Sequence, residues 1–278
     1  MSVPVKAEGI LLRRAASRSS VGLGDIVASR GGILVIAPHA DDETLGCGLA
    51  IRAALAAGRD VRVLLLTDGA ASHPHSREYP RDVLTTLRRE EFARAVDALG
   101  DGLAEKDGTR LQARTLDLPD GSVPHDRAGL EEAFNHARKL ADEIDARTIW
   151  ATWGGDPHPD HLAASRLAEF CTREWSGTID VRREYAVWGR FRHAGWSLRS
   201  DRIQPFEANE HLAAKREAIR AYASQLTPLI LDDPTGFIMP PELVKHFALS
   251  REIFITPGSM RARLGDRARA RAREEIAA

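Results

Sequence analysis

Ile33-Leu34-Val35-Ile36-Ala37-Pro38-His39-Ala40-Asp41-Asp42-Glu43 joins a short apolar run to one imidazole and three carboxylates. Five consecutive apolar residues suit a strand buried on both faces, as in a parallel sheet. A second junction of this kind comes more than a hundred residues later, where Ile149-Trp150-Ala151 precedes Asp156-Pro157-His158-Pro159-Asp160-His161. Each cluster falls where a strand should end. In open α/β sheets that is where ligands and chemistry collect.

The sequence around the two junctions alternates between strand and helix patterns. Thr44 to Ala57 is expected to be helical, with Thr44 as N-cap and Gly58 as the stop. Gly46 and Gly48 are costly inside a helix and point to close backbone packing near the site. Val61 to Leu66 is a second buried strand, which completes a βαβ unit with a right-handed crossover. Residues 70–82, with His73, His75 and Pro80, are expected to form a mobile loop over the site. Leu84, Leu87, Glu91, Ala95 and Leu99 mark one face of a helix, widened by Phe92 and Val96. Leu111 to Leu118 is strand-like and ends in the turn Pro119-Asp120-Gly121. Helices are expected over Leu130 to Ile144 and Leu162 to Glu174, with a strand over Thr148 to Thr152 between them.

After about Thr178 the pattern changes. Tyr185, Val187 and Trp188 read as strand, with Ile203 to Phe206 as a neighbouring one. A helix capped by Asn209 follows to Tyr222, then Glu242 to Phe247 and the strand-like Ile253-Phe254-Ile255. The expected fold class is α/β: a Rossmann-like three-layer α/β/α core with a mainly parallel sheet over about residues 31–177, and a C-terminal elaboration over about 178–256. Residues 1–256 read as a single domain, and 257–278 as a charged tail or helix. No glycine-rich dinucleotide fingerprint follows the first strand, which argues against a nicotinamide enzyme.

Composition narrows the class. The 278 residues are 43% apolar, and 39 basic against 40 acidic side chains give a net charge of −1. Nothing in that balance calls for nucleic acid as a partner. The local basic excess, from Arg261 to Arg273, reads as a solvated terminal helix. Only Cys47 and Cys171 occur, so a disulfide scaffold is not expected, a reducing cytoplasm fits, and Cys47 reads as a packing residue. No run approaches the ~20 apolar residues of a membrane span. The sequence sets no oligomeric state.

The two clusters permit metal-assisted hydrolysis. A catalytic zinc commonly takes three protein ligands and leaves a fourth position for water. His39, Asp42 and His161 would supply a His₂Asp set for one Zn²⁺ per chain, and Fe(II) or Co(II) would also suit it. Asp41 would stand beside the water as general base. His158 can reach the same cavity, stabilise an oxyanion and, if protonated, hand a proton to a departing amine. Asp160 is placed to orient and charge an imidazole. Trp153 is the leading sugar-stacking candidate among Trp150, Trp153, Trp188 and Trp196 because it directly precedes the second cluster. His73, His75, His125 and His193 read as loop residues, of which His73 or His75 could reach the site if the loop closes.

Pro38-His39-Ala40-Asp41-Asp42-Glu43 with His158-Pro159-Asp160-His161 resembles the two-part signature of the PIG-L/LmbE-like zinc-dependent N-deacetylases. That family includes N-acetylglucosaminyl-phosphatidylinositol deacetylases and bacterial enzymes of mycothiol metabolism. Its pattern usually has proline where this chain has Ala40, a departure that leaves every polar group in place. The resemblance covers residues 33–166. It implies a Rossmann-like fold, zinc on His39, Asp42 and His161, Asp41 as base, and His158 as electrostatic stabiliser and acid. It further implies that Arg88 contacts substrate and that Asp120 accepts a sugar hydroxyl, beside the plain readings of a surface helix arginine and a turn aspartate. Lys215, Ala218, Ser224 and Gln225 echo a helix-then-Ser-Gln segment seen in many members, with no chemistry assigned.

The expected activity is removal of an acetyl group from an N-acetylated amino-sugar conjugate of the N-acetylglucosamine type, a small molecule. Either Asp41 or His158 would protonate the leaving amine. An amidase of the same family acting on a larger thiol-conjugate amide would use the same residues. A sugar- or metal-binding protein without catalysis would not need Asp41, and phosphoester hydrolysis on paired metals would need more bridging carboxylates.

Overall fold

A computed structural model describes residues 9–103, 110–192, 198, 202–249 and 251–257. His193, Trp196 and the arginines from Arg261 onward lie outside the described residues. Five strands run parallel: β1 (Ile33–Ala37), β2 (Val61–Thr67), β3 (Leu111–Leu118), β4 (Thr148–Thr152) and β5 (Val181–Tyr185). Two antiparallel strands, β6 (Ile203–Glu207) and β7 (Arg251–Ile255), complete a sheet of order β3-β2-β1-β4-β5-β7-β6. The chain steps outward from β1 to β3, then returns to lay β4 on the other side of β1. The gap between β1 and β4 is therefore a topological switch point, where the loops leaving adjacent strands diverge and leave a crevice.

Alternation along the strands builds the three layers. Ile33, Val35 and Ala37 of β1, with Val61, Val63 and Leu65 of β2, enter one apolar core. That core is covered by α2 (Asp42–Ala56), α3 (Arg81–Gly100), α6 (Leu212–Arg220) and α8 (Pro241–Phe247). Leu34, Ile36, Leu64 and Leu66 point the other way, into a core covered by α4 (Glu131–Glu143) and α5 (Pro159–Glu174). Both faces of β1 are thus dry, which is why its sequence is apolar without alternation. The cysteines are buried and free, and no described helix is long and apolar enough to cross a membrane.

Several expected boundaries move. Helix α2 starts at Asp42, so Thr44 lies inside its first turn and is not the cap. Helix α5 starts at Pro159, three residues before the expected Leu162, with His158 as N-cap. Proline at the first helical position has no N–H to waste and a pre-set φ, so it opens the helix. Strand β5 ends at Tyr185, and Trp188 begins a 3₁₀ turn, Trp188–Phe191. The strand at 203–207 does not neighbour β5, because β7 inserts between them. Asn209 begins a 3₁₀ turn, Asn209–His211, and does not cap α6.

His246, on α8, packs edge-on to Phe191 and lies near Arg190 and Lys215. Burial, then those two cations, lower its pKa from 6.5 to about 3. The unfolded chain therefore binds more protons between those values, and stability falls as pH drops through that window. We expect His246→Leu to lose less of its urea midpoint than the parent on going from about pH 7.5 to about pH 5. Equal losses would show that His246 does not set the acid limb.

Candidate active site

The end of β1 and the start of α2 place the first cluster. Asp41 sits between them with φ 136° and ψ −28°, a backbone state that a non-glycine residue holds only under compulsion. Such strain costs on the order of 1–3 kcal/mol and collects at functional sites. The compulsion comes from both sides: Leu45 N–H donates to Asp41 C=O at 2.8 Å, and Asp41 N–H donates to the buried Glu43 carboxylate at 3.2 Å. Tyr222 and Thr44 donate their hydroxyls to the other oxygen of Glu43.

Asp42 Oδ2 lies 3.0 Å from His39 Nδ1 and 3.2 Å from His161 Nε2. His161 is fully buried, and its Nδ1 lies 2.9 Å from Asp156 Oδ2. The Asp156 carboxylate also accepts the N–H groups of Val187, Trp188 and Gly189 at 2.8–3.2 Å. It is an acceptor throughout, so His161 Nδ1 carries the hydrogen it receives. His161 Nε2 has no hydrogen-bond partner in proper alignment, although Asp42 is close. A lone pair then faces a carboxylate oxygen, and that arrangement needs a positive charge between them. Burial opposes charge on His161, yet Asp42 and Asp156 outweigh it and hold the pKa up at about 9. The same surroundings that stabilise a proton there stabilise a metal ion in its place.

The two separations that involve Asp42 fit as well. Ligands on one tetrahedral ion with bonds of ~2.0–2.1 Å stand about 3.3 Å apart, close to the two separations around Asp42 Oδ2. His39 is braced from behind: its Nε2 lies 3.1 Å from Asp160 Oδ2 and 3.2 Å from Asp120 Oδ1. Asp160 is fixed by N–H donors from Gly121 at 2.7 Å and Val123 at 3.1 Å. His39 and His161 thus each face Asp42 with one nitrogen and have another carboxylate on the other, the arrangement that fixes tautomer and ring orientation at metal sites. His39, His158 and His161 also bring ring nitrogens within 4.8 Å of one another, as His39, Asp120 and Asp160 do with their ligand atoms.

Two groups stand ready beside this set. Burial pushes the Asp41 carboxyl up to about 8, against the pull of Arg88 and with Asp42 and Glu43 adding to it. Burial and the neighbouring charges of His39 and His161 press His158 down to about 4. His158 Nδ1 accepts the N–H of Asp160 at 3.3 Å. Arg88 is no surface residue: it is 3% exposed, with Nη2 donating to Ala40 C=O at 2.5 Å and lying 4.0 Å from Asp41. Its Nε and Nη1 are buried without a hydrogen-bond partner among the described residues. Asp120 accepts Ala71 N–H at 3.0 Å on its second oxygen. Burial alone would raise Asp120; the His39 contact, Ala71 and Arg88 outweigh it and hold it at about 2.

Nine residues were singled out from the sequence as site residues, and the structure brings eight into this cluster. Trp153 is the departure. Its ring lies against Gly155 and Gly189, where a Cβ would stand 2.2 and 2.5 Å from it, and it joins an apolar cluster with Leu11 and Ile253. At 7% exposure it is a packing residue. Trp188 is better placed: its backbone is tied to Asp156 and its ring meets Phe237 at 5.8 Å. Residues 70–80 are not a free loop. His75 N–H donates to Asp233, while the Ser76 hydroxyl and the N–H groups of Arg77 and Glu78 donate to Asp232. Phe237 N–H closes the same contact on Ser72 C=O, and His73 lies buried under Gly236. Asp156 had no assigned role in the sequence; its position five residues before His161 in a proline-bearing turn was the available signal.

A family model described as PIG-L, GlcNAc-PI de-N-acetylase, matches residues 34–171. A 1D-myo-inositol 2-acetamido-2-deoxy-alpha-D-glucopyranoside deacetylase of Catenulispora acidiphila is 30% identical over 151 residues, covering 49% of this chain and 46% of that protein. The chain thus spans about half the length of that relative. The enzyme of the same name from Nocardioides sp. is 24% identical over 253 residues, covering 70% of this chain and 83% of that one. The N,N'-diacetylchitobiose deacetylase of Pyrococcus horikoshii superposes with a TM-score of 0.57 at 19% identity, over 88% of this chain and 89% of that one. At that identity the likeness is one of fold.

Asp156→Asn should weaken binding of a divalent cation by about 10–100-fold, because the amide has no negative charge and only one accepting atom for the four N–H groups that Asp156 now serves. Competition titration of the metal-stripped protein measures this. An unchanged affinity would remove Asp156 from the site.

Proposed function

Since residues 34–171 belong to the PIG-L family of GlcNAc-PI de-N-acetylases, we propose that this chain is a metal-dependent hydrolase that removes the acetyl group from an N-acetylated amino-sugar conjugate of the N-acetylglucosamine type. One observation carries the reading: a single carboxylate oxygen faces two imidazole nitrogens, with a strained, buried Asp41 beside it. Binding alone would not need that second carboxylate.

His39, Asp42 and His161 hold the metal, and their nitrogen and oxygen donors suit Zn²⁺. When bound, the ion supplies a Lewis acid and a water of lowered pKa. Asp41 takes the proton from the attacking water as its oxygen bonds to the amide carbonyl carbon. An acid whose pKa lies near the working pH can both accept and return a proton. His158 is neutral in this environment. With Nδ1 occupied by Asp160 N–H, its Nε2 carries the hydrogen and donates to the oxyanion of the tetrahedral intermediate. A neutral imidazole has no spare proton, so Asp41 returns its own to the departing nitrogen as the C–N bond breaks. Acetate and the free amine result. Arg88, with two unpartnered buried nitrogens, binds a substrate oxygen, and Asp120 accepts a sugar hydroxyl with its remaining lone pairs.

The names of the relatives support an amino sugar as the acetylated unit. Trp188, tied to Asp156 and in ring contact with Phe237, is the aromatic side chain offered for contact with the aglycone. The protein acts inside the cell on a small molecule, without a nucleic-acid partner.

Asp41→Asn should bind Zn²⁺ at the parent stoichiometry yet lose about 10²–10⁴-fold in turnover. Near-normal turnover would remove Asp41 as the base. The zinc-loaded parent should release acetate from at least one N-acetylglucosamine conjugate in a panel of inositol-, lipid-, nucleotide- and oligosaccharide-linked forms. Silence across the whole panel would sink the deacetylase reading.

A further inference from the structure

Helix α2 is broken. Cys47 has φ −144° and ψ 20°, so Asp42–Gly46 is a separate short turn followed by a regular helix. An unbroken helix would pair Leu49 N–H with Leu45 C=O, and Ala50 N–H with Gly46 C=O. All four groups are served from outside instead. Leu49 N–H and Ala50 N–H donate to the two oxygens of Glu252 at 2.7 and 3.0 Å. Leu45 C=O accepts Lys215 Nζ at 3.1 Å, and Gly46 C=O accepts Arg190 Nη2 at 3.3 Å. Lys215 and Glu252 pair with each other at 2.6 Å, and all three side chains are fully buried. The polarity is that of helix ends: an anion on freed N–H groups and cations on freed C=O groups. The Tyr185 ring fills the break, where a Cβ on Gly46 would stand 2.2 Å from it.

The turn so isolated carries the chemistry. Its first residue is Asp42, and the strained Asp41 precedes it. A straight helix would carry that turn in line with residues 48–56; the break lets it tilt independently toward His39 and His161. We infer that Glu252, Lys215 and Arg190 are positioning residues for the site: by capping both sides of the break they set where Asp41 and Asp42 stand. For turnover this rests on the proposed roles of those two aspartates. For metal binding it rests only on Asp42 facing the two imidazoles.

The test uses the whole protein. Metal-stripped Glu252→Gln, Lys215→Met and Lys215→Arg are titrated with Zn²⁺ against a competing chelator, then loaded and assayed. Leu140→Ala, in the core on the opposite face of the sheet, serves as a control for destabilisation alone. We expect Glu252→Gln and Lys215→Met, folded by circular dichroism, to bind Zn²⁺ about tenfold or more weakly. Their kcat should fall at least as far, with KM within about threefold. Lys215→Arg, which keeps the cation, should recover most of both. Leu140→Ala should lower the thermal midpoint yet leave zinc affinity within about twofold. Parent-like affinity in folded Glu252→Gln would overturn the inference, as would equal weakening in Leu140→Ala. Failure of both charge variants to fold would also overturn it, since the pair would then serve the fold. The titration needs no substrate, so a silent substrate panel would sink the functional reading and leave this result standing.

Discussion

Parallel pairing of β1 with β4 is the constraint on which the rest depends. It sets Ile36 beside Ala151, so the two loops leaving those strands start one strand spacing apart, about 4.8 Å. His39 and Asp42 leave on one side, and Asp156, His158 and His161 on the other. Any slip in that register would carry His161 away from Asp42, and the donor set would not exist. The apolar, unalternating sequence of both strands protects the pairing, because each is buried on both faces and has no solvent side to turn toward.

Burying so much charge has to be compensated locally. Asp156 accepts three backbone N–H groups and an imidazole, Asp160 two N–H groups and an imidazole, and Glu252 two N–H groups and a lysine. Donors of this kind offset what burial costs a carboxylate. Asp41 is the exception. It has Arg88 at 4.0 Å and little else, so burial raises its pKa, unlike that of Asp42 one residue on, which is strongly lowered. Two adjacent aspartates are thus given opposite proton affinity by their surroundings, the kind of split that can separate a base from a ligand.

Much of this was legible in the sequence, and the parts that were not have a common cause. That His39, Asp42 and His161 meet could be read because strand, turn and polar cluster stand within a few residues of each other. The layers could be read from apolar runs and helical periodicity. Thr44 as a cap failed because the helix opens on a strained Asp41, and backbone strain leaves no compositional mark. Helix α5 was placed late although Pro159 announces its start. Lys215, Ser224 and Gln225 were visible as a pattern without a role, since their partners Glu252 and Glu91 lie far along the chain. Trp153 is adjacent to the second cluster in sequence, but its packing against Gly155, Gly189 and an apolar cluster shows only in three dimensions.

The five residues Asp42–Gly46 are clamped at both ends by groups from distant elements. At the front, Glu43, itself held by Tyr222, accepts the N–H of Asp41 and fixes the strained φ. At the back, Lys215 and Arg190 take the last two carbonyls. Tyr222 and Lys215 both come from the segment that follows the parallel core, and Glu252 from β7, the strand that extends the sheet antiparallel to β5. The first half of the chain therefore supplies Asp41 and Asp42, while the C-terminal elaboration holds the turn that carries them. A short turn gains little rigidity from its own hydrogen bonds, since helix formation is cooperative and its first turn is unfavourable. External caps provide what the turn lacks, and they do so with charges that only a fully assembled interior can tolerate. The turn that carries Asp42 is therefore held by side chains from α6, β7 and the 3₁₀ turn after β5.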